Sequence, residues 1–217
     1  MIYCSDRLTR VGALLAHSRS LFTEKTGVTI VEFGLCLPLF VSLAMMGVET
    51  VNFAYAHQKM GDIATLTADN ISRIRLGISE EDITETLNGI KQTAGNLNFP
   101  ENGRIIVSSV QPVTNAAKVV ANQKIRWQRC SGALNVTSSY GRQGDLLGAA
   151  GMGPSDNKIA ASEGSELIFV EVVYTYQPLI SPQLLGNRTI RNIVAMNVRE
   201  RTANDVSATG AVSSCAT

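Results

Sequence analysis

Residues 28–48 form an almost unbroken apolar run that carries one charge, the carboxylate of Glu32. Wound as an α-helix, rising about 1.5 Å per residue, such a run is about 31 Å long. The hydrocarbon core of a bilayer is about 30 Å thick. A chain with this segment must bury it on all sides or give it to lipid. A cleaved secretory signal fits poorly, because its apolar region would be shorter, about 7–15 residues, and a small-residue site would follow it. Here the small residue, Gly27, comes before the run. Pro38 lies inside it, removing one backbone donor and crowding the carbonyl of Gly34, which predicts a helix kink or local unwinding. An ionisable group in such a stretch is costly and asks for a partner. Glu32 also has a bland reading, since an acid near a helix start complements the positive end of the helix dipole.

The helical pattern continues beyond the run. Glu49 and Asn52 mark an exit toward water, and Met60, Ile63, Ala64, Thr67, Ile71 and Ile74 then recur at helical spacing. This predicts one long helix over 28–76, membrane-spanning at about 28–48 and one-sided afterwards. Its later stripe would lie on a soluble domain or on another helix. Residues 1–27 form a polar leader. Arg7, Arg10, Arg19 and Lys25 outnumber Asp6 and Glu24 before the apolar run, while the whole chain carries a net +1. A basic excess on this side predicts a cytoplasmic N-terminus and a C-terminal domain across the membrane. The near-neutral total gives no argument for nucleic acid.

Residues 77–217 read as an α+β domain. Ser79 can cap a short helix, with Asp82 in the reciprocal position of a capping box. Ile83, Leu87, Ile90 and Ala94 make its buried face, and Gly95 ends it. The period then changes to two. Strands are predicted over 104–110, 119–127, 168–176 and 188–198. In the second, Val119, Ala121, Ile125 and Trp127 share a face. In the third, Ile168, Val170, Val172, Tyr174 and Tyr176 do. In the fourth, Ile190, Val194, Met196 and Val198 do. Such alternation suits a small antiparallel sheet with one buried face, covered by the long or the short helix. Tyr174, Tyr176 and Trp127 are then core or sheet residues rather than a base-stacking platform. The glycine-rich loop 141–164 lacks a Gly-Lys-Ser/Thr ending and predicts no phosphate site. It reads as a mobile exposed loop.

Of four cysteines, Cys4 lies in the leader and Cys36 in the apolar run. If the C-terminal domain occupies an oxidising compartment, a Cys130–Cys215 disulfide is the natural pairing; otherwise both are free thiols. No Cys-x-x-Cys occurs, and the two histidines are His17 and His57, so neither a metal site nor a cofactor is expected. No nucleophile and base stand together, which argues against an enzyme.

Gly27, four residues, Glu32-Phe33 and then Gly34-Leu35-Cys36-Leu37-Pro38-Leu39-Phe40 resemble the N-terminus of TadE-like proteins. These are minor pilins or pseudopilins of the tight-adherence (Flp/Tad, type IVc) pilus. Val173-Tyr174-Thr175-Tyr176-Gln177-Pro178 and Val198-Arg199-Glu200-Arg201 are similar to their late strands. The resemblance implies a pilin-like fold, a long helix packed on a small antiparallel sheet, in a structural protein of pilus assembly and surface adhesion. It implies that prepilin peptidase cuts between Gly27 and Val28 on the cytoplasmic face. Glu32 would then pair with the new amine of Val28, its own or a neighbour's, and Phe33 would pack among adjacent helices. Implied partners are the peptidase, other pilins and the inner-membrane assembly platform, besides lipid. The implied location is the bacterial inner membrane, with the C-terminal domain periplasmic and incorporation into an extracellular pilus. The alternative is an unprocessed, single-pass anchored periplasmic binding domain with the glycine-rich loop as its recognition surface.

Overall fold

The computed structural model describes residues 26–75, 77–116, 119–180, 186, 188–199 and 205–215. The basic leader and the pair Glu200-Arg201 lie outside the described residues. The chain divides into two compact units at Thr50 and Val51.

Helix α1 spans Thr26–Ser72 and runs without interruption through Pro38. In the first unit every residue from 27 to 48 is exposed. In the second unit the same helix is one-sided. Ala56, Met60, Ile63, Ala64, Ala68 and Ile71 are fully buried, the i, i+3, i+4 stripe that helical periodicity requires. Glu49 and Asn52 are no exit toward water: Glu49 is buried, and Asn52 is half-buried, its Nδ2 donating to the Tyr176 hydroxyl at 2.7 Å. Its neighbour Phe53 meets the Tyr176 ring edge-on, with centroids 5.1 Å apart.

After strand β1 (Ile78–Ser79), helix α2 (Glu80–Thr93) begins with the expected capping box. The Ser79 hydroxyl accepts from the Asp82 amide at 3.1 Å, and the Asp82 carboxylate accepts from the Ser79 amide at 3.0 Å. These bonds satisfy orphan donors of the first turn. A four-residue helix α3 (Phe99–Asn102) leads into β2 (Gly103–Thr114). Then follow β3 (Val120–Ser131), β4 (Leu146–Gly148), β5 (Leu167–Thr175), β6 (Thr189–Asn197) and β7 (Val206–Ser207). The main sheet has the order β4-β3-β2-β5-β6 with every neighbour antiparallel. β1 and β7 make a separate parallel pair.

One face of the sheet receives both helices. Ile105, Val107, Trp127, Ile168, Val170, Val172, Tyr174, Tyr176 and Ile190 pack with the buried stripes of α1 and α2. The protein is thus α+β, a long helix packed on a small antiparallel sheet. The other face is buried too, which departs from the one-sided expectation. Val110, Ile125, Leu167 and Phe169 pack there against Met152 and Ala161 of the glycine-rich segment, with Tyr140, Leu147 and Ile159 beside them. That covering explains why β2 and β5 are continuously buried over most of their length.

The glycine-rich segment is no free loop: it contributes β4, and Met152 bridges Ile159. The buried Gln123 amide exchanges two hydrogen bonds with the Ala161 backbone. Ile125 and Trp127 do not share a face. Ser109 pairs with Trp127 and Val110 with Ile125, so Arg126 is an extra residue in β3. This bulge reverses the alternation within two residues, placing Trp127 under the helices and Ile125 beneath the glycine-rich segment.

Candidate functional site

The first unit presents the residues of the candidate processing and assembly site. Gly27 lies in the first turn of α1. A Cβ at Gly27 would meet nothing within 4 Å, so neither packing nor backbone conformation demands glycine there. Val28 is 51% exposed and Phe33 63% exposed. Glu32 is exposed as well, among apolar neighbours. Val28 and Glu32 are four residues apart on a continuous helix. They therefore share a face, separated by about 6 Å along the axis. An amine created at Val28 would stand one turn from the Glu32 carboxylate, at the end of a helix where free backbone N–H groups already favour negative charge.

Beyond Glu32, the side chains of Leu35, Leu37, Leu39, Phe40, Leu43 and Met46 are all solvent-facing. None of the most apolar 18-residue window of this helix is buried. Apolar surface covering a helix all round is far more than soluble monomers expose. It fits lipid or the flanks of other helices. Length and composition match one membrane span, as in a single-pass membrane protein. Cys36 is exposed on this helix as a free thiol.

The second unit's sheet domain has ionic contacts of its own, which were not legible as pairs in the sequence. Arg129 of β3 binds Glu80 at the start of α2 through two nitrogens, Nε donating to Oε2 at 2.7 Å and Nη2 to Oε1. Both residues are buried. On the other sheet face Glu171 of β5 accepts from Arg191 of β6 and, at 3.0 Å, from the Ser138 hydroxyl. Desolvation by burial raises the Glu171 carboxyl above its ordinary range, against the opposing pull of Arg191 and these hydrogen bonds. Burial likewise raises the Tyr174 hydroxyl, which donates to the Leu97 carbonyl at 2.7 Å.

Cys130 at the end of β3 is bonded to Cys215. The bond anchors a tail that also runs along α2: the Glu81 amide donates to the Thr209 carbonyl and the Cys130 amide to the Ser213 carbonyl, each at 2.9 Å. Among the described residues no group of three or more His, Cys, Asp or Glu side chains is placed to hold a metal ion.

Residues 27–69 match the family model of TadE-like protein. The match opens on Gly27 and covers the apolar run and the first buried turns that follow it. Over this segment the chain belongs to the TadE-like family. The TadE-like segment therefore carries the junction Gly27-Val28, Glu32, Phe33 and Pro38, and membership in this pilin family is consistent with a role in pilus assembly and with a structural, non-enzymatic protein. Comparison with curated proteins and with solved structures gives no match.

Proposed function

We propose that this TadE-like chain is a minor pilin or pseudopilin that enters a tight-adherence (Flp/Tad, type IVc) pilus used for surface adhesion. One observation carries the proposal. The family match opens on a glycine that the fold does not require. Glu32 follows five residues later as the only charge in the exposed, membrane-length run 28–48.

Prepilin peptidase removes residues 1–27 at the cytoplasmic face of the inner membrane. Glycine suits the scissile position because no side chain obstructs its backbone. Cutting frees the amine of Val28, which is cationic at neutral pH. Glu32 pairs with such an amine, on its own chain or on a neighbour. Among packed helices, where the effective dielectric is low, this pairing offsets part of the cost of burying both charges. It also fixes axial register, because a subunit displaced along the bundle leaves Glu32 unpaired. Phe33 packs against adjacent helices, and Pro38 bends α1 to follow them. The partners are other pilins and the inner-membrane assembly platform, and the domain from residue 77 onward lies in the periplasm.

N-terminal sequencing and intact mass of the membrane-extracted protein test this reading, in a strain with active prepilin peptidase. The expected N-terminus is Val28 in the wild type, with Gly27→Ala accumulating uncut protein and losing piliation. A wild-type chain that keeps its leader, or a Gly27→Ala strain with normal pili, overturns it in favour of an unprocessed anchored domain.

A further inference from the structure

A cavity of about 470 Å³ opens in the second unit, lined by residues of the sheet, of the loop after β3 and of the disulfide-anchored tail. Its volume falls within the range of small-molecule sites, about 300–1,000 Å³. Arg104 of β2 gives it its chemistry. This residue is 8% exposed. Its Nη1 donates to the Leu134 carbonyl at 3.2 Å, and its Nε is buried with no hydrogen-bond partner among the described residues. Among the described residues no carboxylate forms an ion pair with it. The two acids that could compete are engaged elsewhere, Glu80 with Arg129 and Glu171 with Arg191. A guanidinium removed from water without a counter-charge is costly, and an anion placed beside it offsets that cost.

The rest of the lining narrows the ligand. The Thr137 and Ser214 hydroxyls can donate or accept, Val136 and Val212 supply apolar surface, and the exposed Arg142 stands in the lining as a second cation. Nη1 is engaged and Nε is buried, so Nη2 is the remaining nitrogen of Arg104. The Thr137 and Ser214 hydroxyls match a ligand that carries hydroxyls of its own beside its anionic group, and a carboxylate is a compact anionic group for a guanidinium. We propose that this cavity binds a small polyhydroxylated carboxylate of the hexuronic-acid class, its carboxylate on Arg104 and its hydroxyls toward Thr137 and Ser214.

Calorimetric titration of the full chain in detergent micelles tests this, using sodium glucuronate, glucose and inorganic phosphate as probes. Saturable glucuronate binding is expected, with glucose and phosphate at least tenfold weaker. Arg104→Gln should weaken glucuronate binding at least tenfold while the Cys130–Cys215 bond is retained. Arg142→Gln changes an exposed side chain and keeps the fold, so it decides the matter if Arg104→Gln does not fold; it should weaken binding several-fold. Absence of saturable glucuronate binding overturns the proposal. So does equal binding of glucose or phosphate, or wild-type affinity in the folded variants.

Discussion

Glu171 sits in β5, with Ile106 and Ile193 as its cross-strand neighbours, and its carboxylate is 1% exposed. Burial raises its affinity for a proton more than Arg191, Ser138 and Ser139 lower it. The native state therefore takes up a proton at a higher pH than the unfolded chain does. Stability follows the difference in bound protons. The contribution of Glu171 is fully present below the ordinary carboxylate range and is lost as pH rises through the raised native value. Urea unfolding of the detergent-solubilised chain at pH 7 and pH 5 should show this. Wild type gains on Glu171→Gln as pH falls, and a pH-independent difference between the two would refute the linkage. The Arg129–Glu80 pair behaves differently, because each charge there needs the other. Arg129→Ala strands Glu80 in a buried position and should cost about 3–5 kcal/mol in the same measurement. Neither pair was legible in the sequence. Residues 80 and 129 are linked only by the fold, and no local period marks a carboxylate whose partner lies on another element.

The elements were legible where the pattern is local and uninterrupted. Ser79 and Asp82 announced the start of α2, and Ile83, Leu87, Ile90 and Ala94 its buried face. The four long strands and the buried stripe of α1 followed from simple periods. The bulge at Arg126 did not, because counting by twos assumes an unbroken ladder. The glycine-rich segment failed for another reason: its order comes from tertiary cover of Ile125 and Phe169 rather than from any propensity of its own. Gly151 shows how tightly it is held. Its φ is +91° and an added Cβ would collide with the Ile159 carbonyl, so Gly151→Ala should lower the midpoint of thermal unfolding by several degrees. The equivalent change at Gly148, where a Cβ has open space, should be much milder. The disulfide acts on a longer element. It joins residues 85 apart and holds the tail against α2 and β3. Cys215→Ser should cost about 2–4 kcal/mol, measured as the loss in denaturant midpoint relative to the oxidised wild type.

At the scale of the whole molecule, folding and assembly draw on different residues. The sheet domain buries its own core, while the helix before Thr50 leaves its apolar surface open. Glu32 separates two demands on that helix. If the helix served only as an anchor, a neutral side chain would be preferred at residue 32, because a charged carboxylate at depth in a bilayer costs about 2.5–3.5 kcal/mol on insertion scales. Glu32→Gln keeps the shape and removes the charge, so it should be inserted at least as well as wild type. If the carboxylate receives the amine of Val28, the same change removes the contact that sets subunit register. The expected result is therefore a split. Glu32→Gln protein is still cut after Gly27, still forms the Cys130–Cys215 bond and unfolds at the wild-type temperature. Its amount in sheared pili falls at least tenfold. Wild-type incorporation of Glu32→Gln would leave the carboxylate no role in assembly. Failure of the cut itself would instead place Glu32 in recognition by the peptidase. Immunoblotting of sheared pili alongside N-terminal sequencing of the membrane fraction separates these outcomes in one experiment.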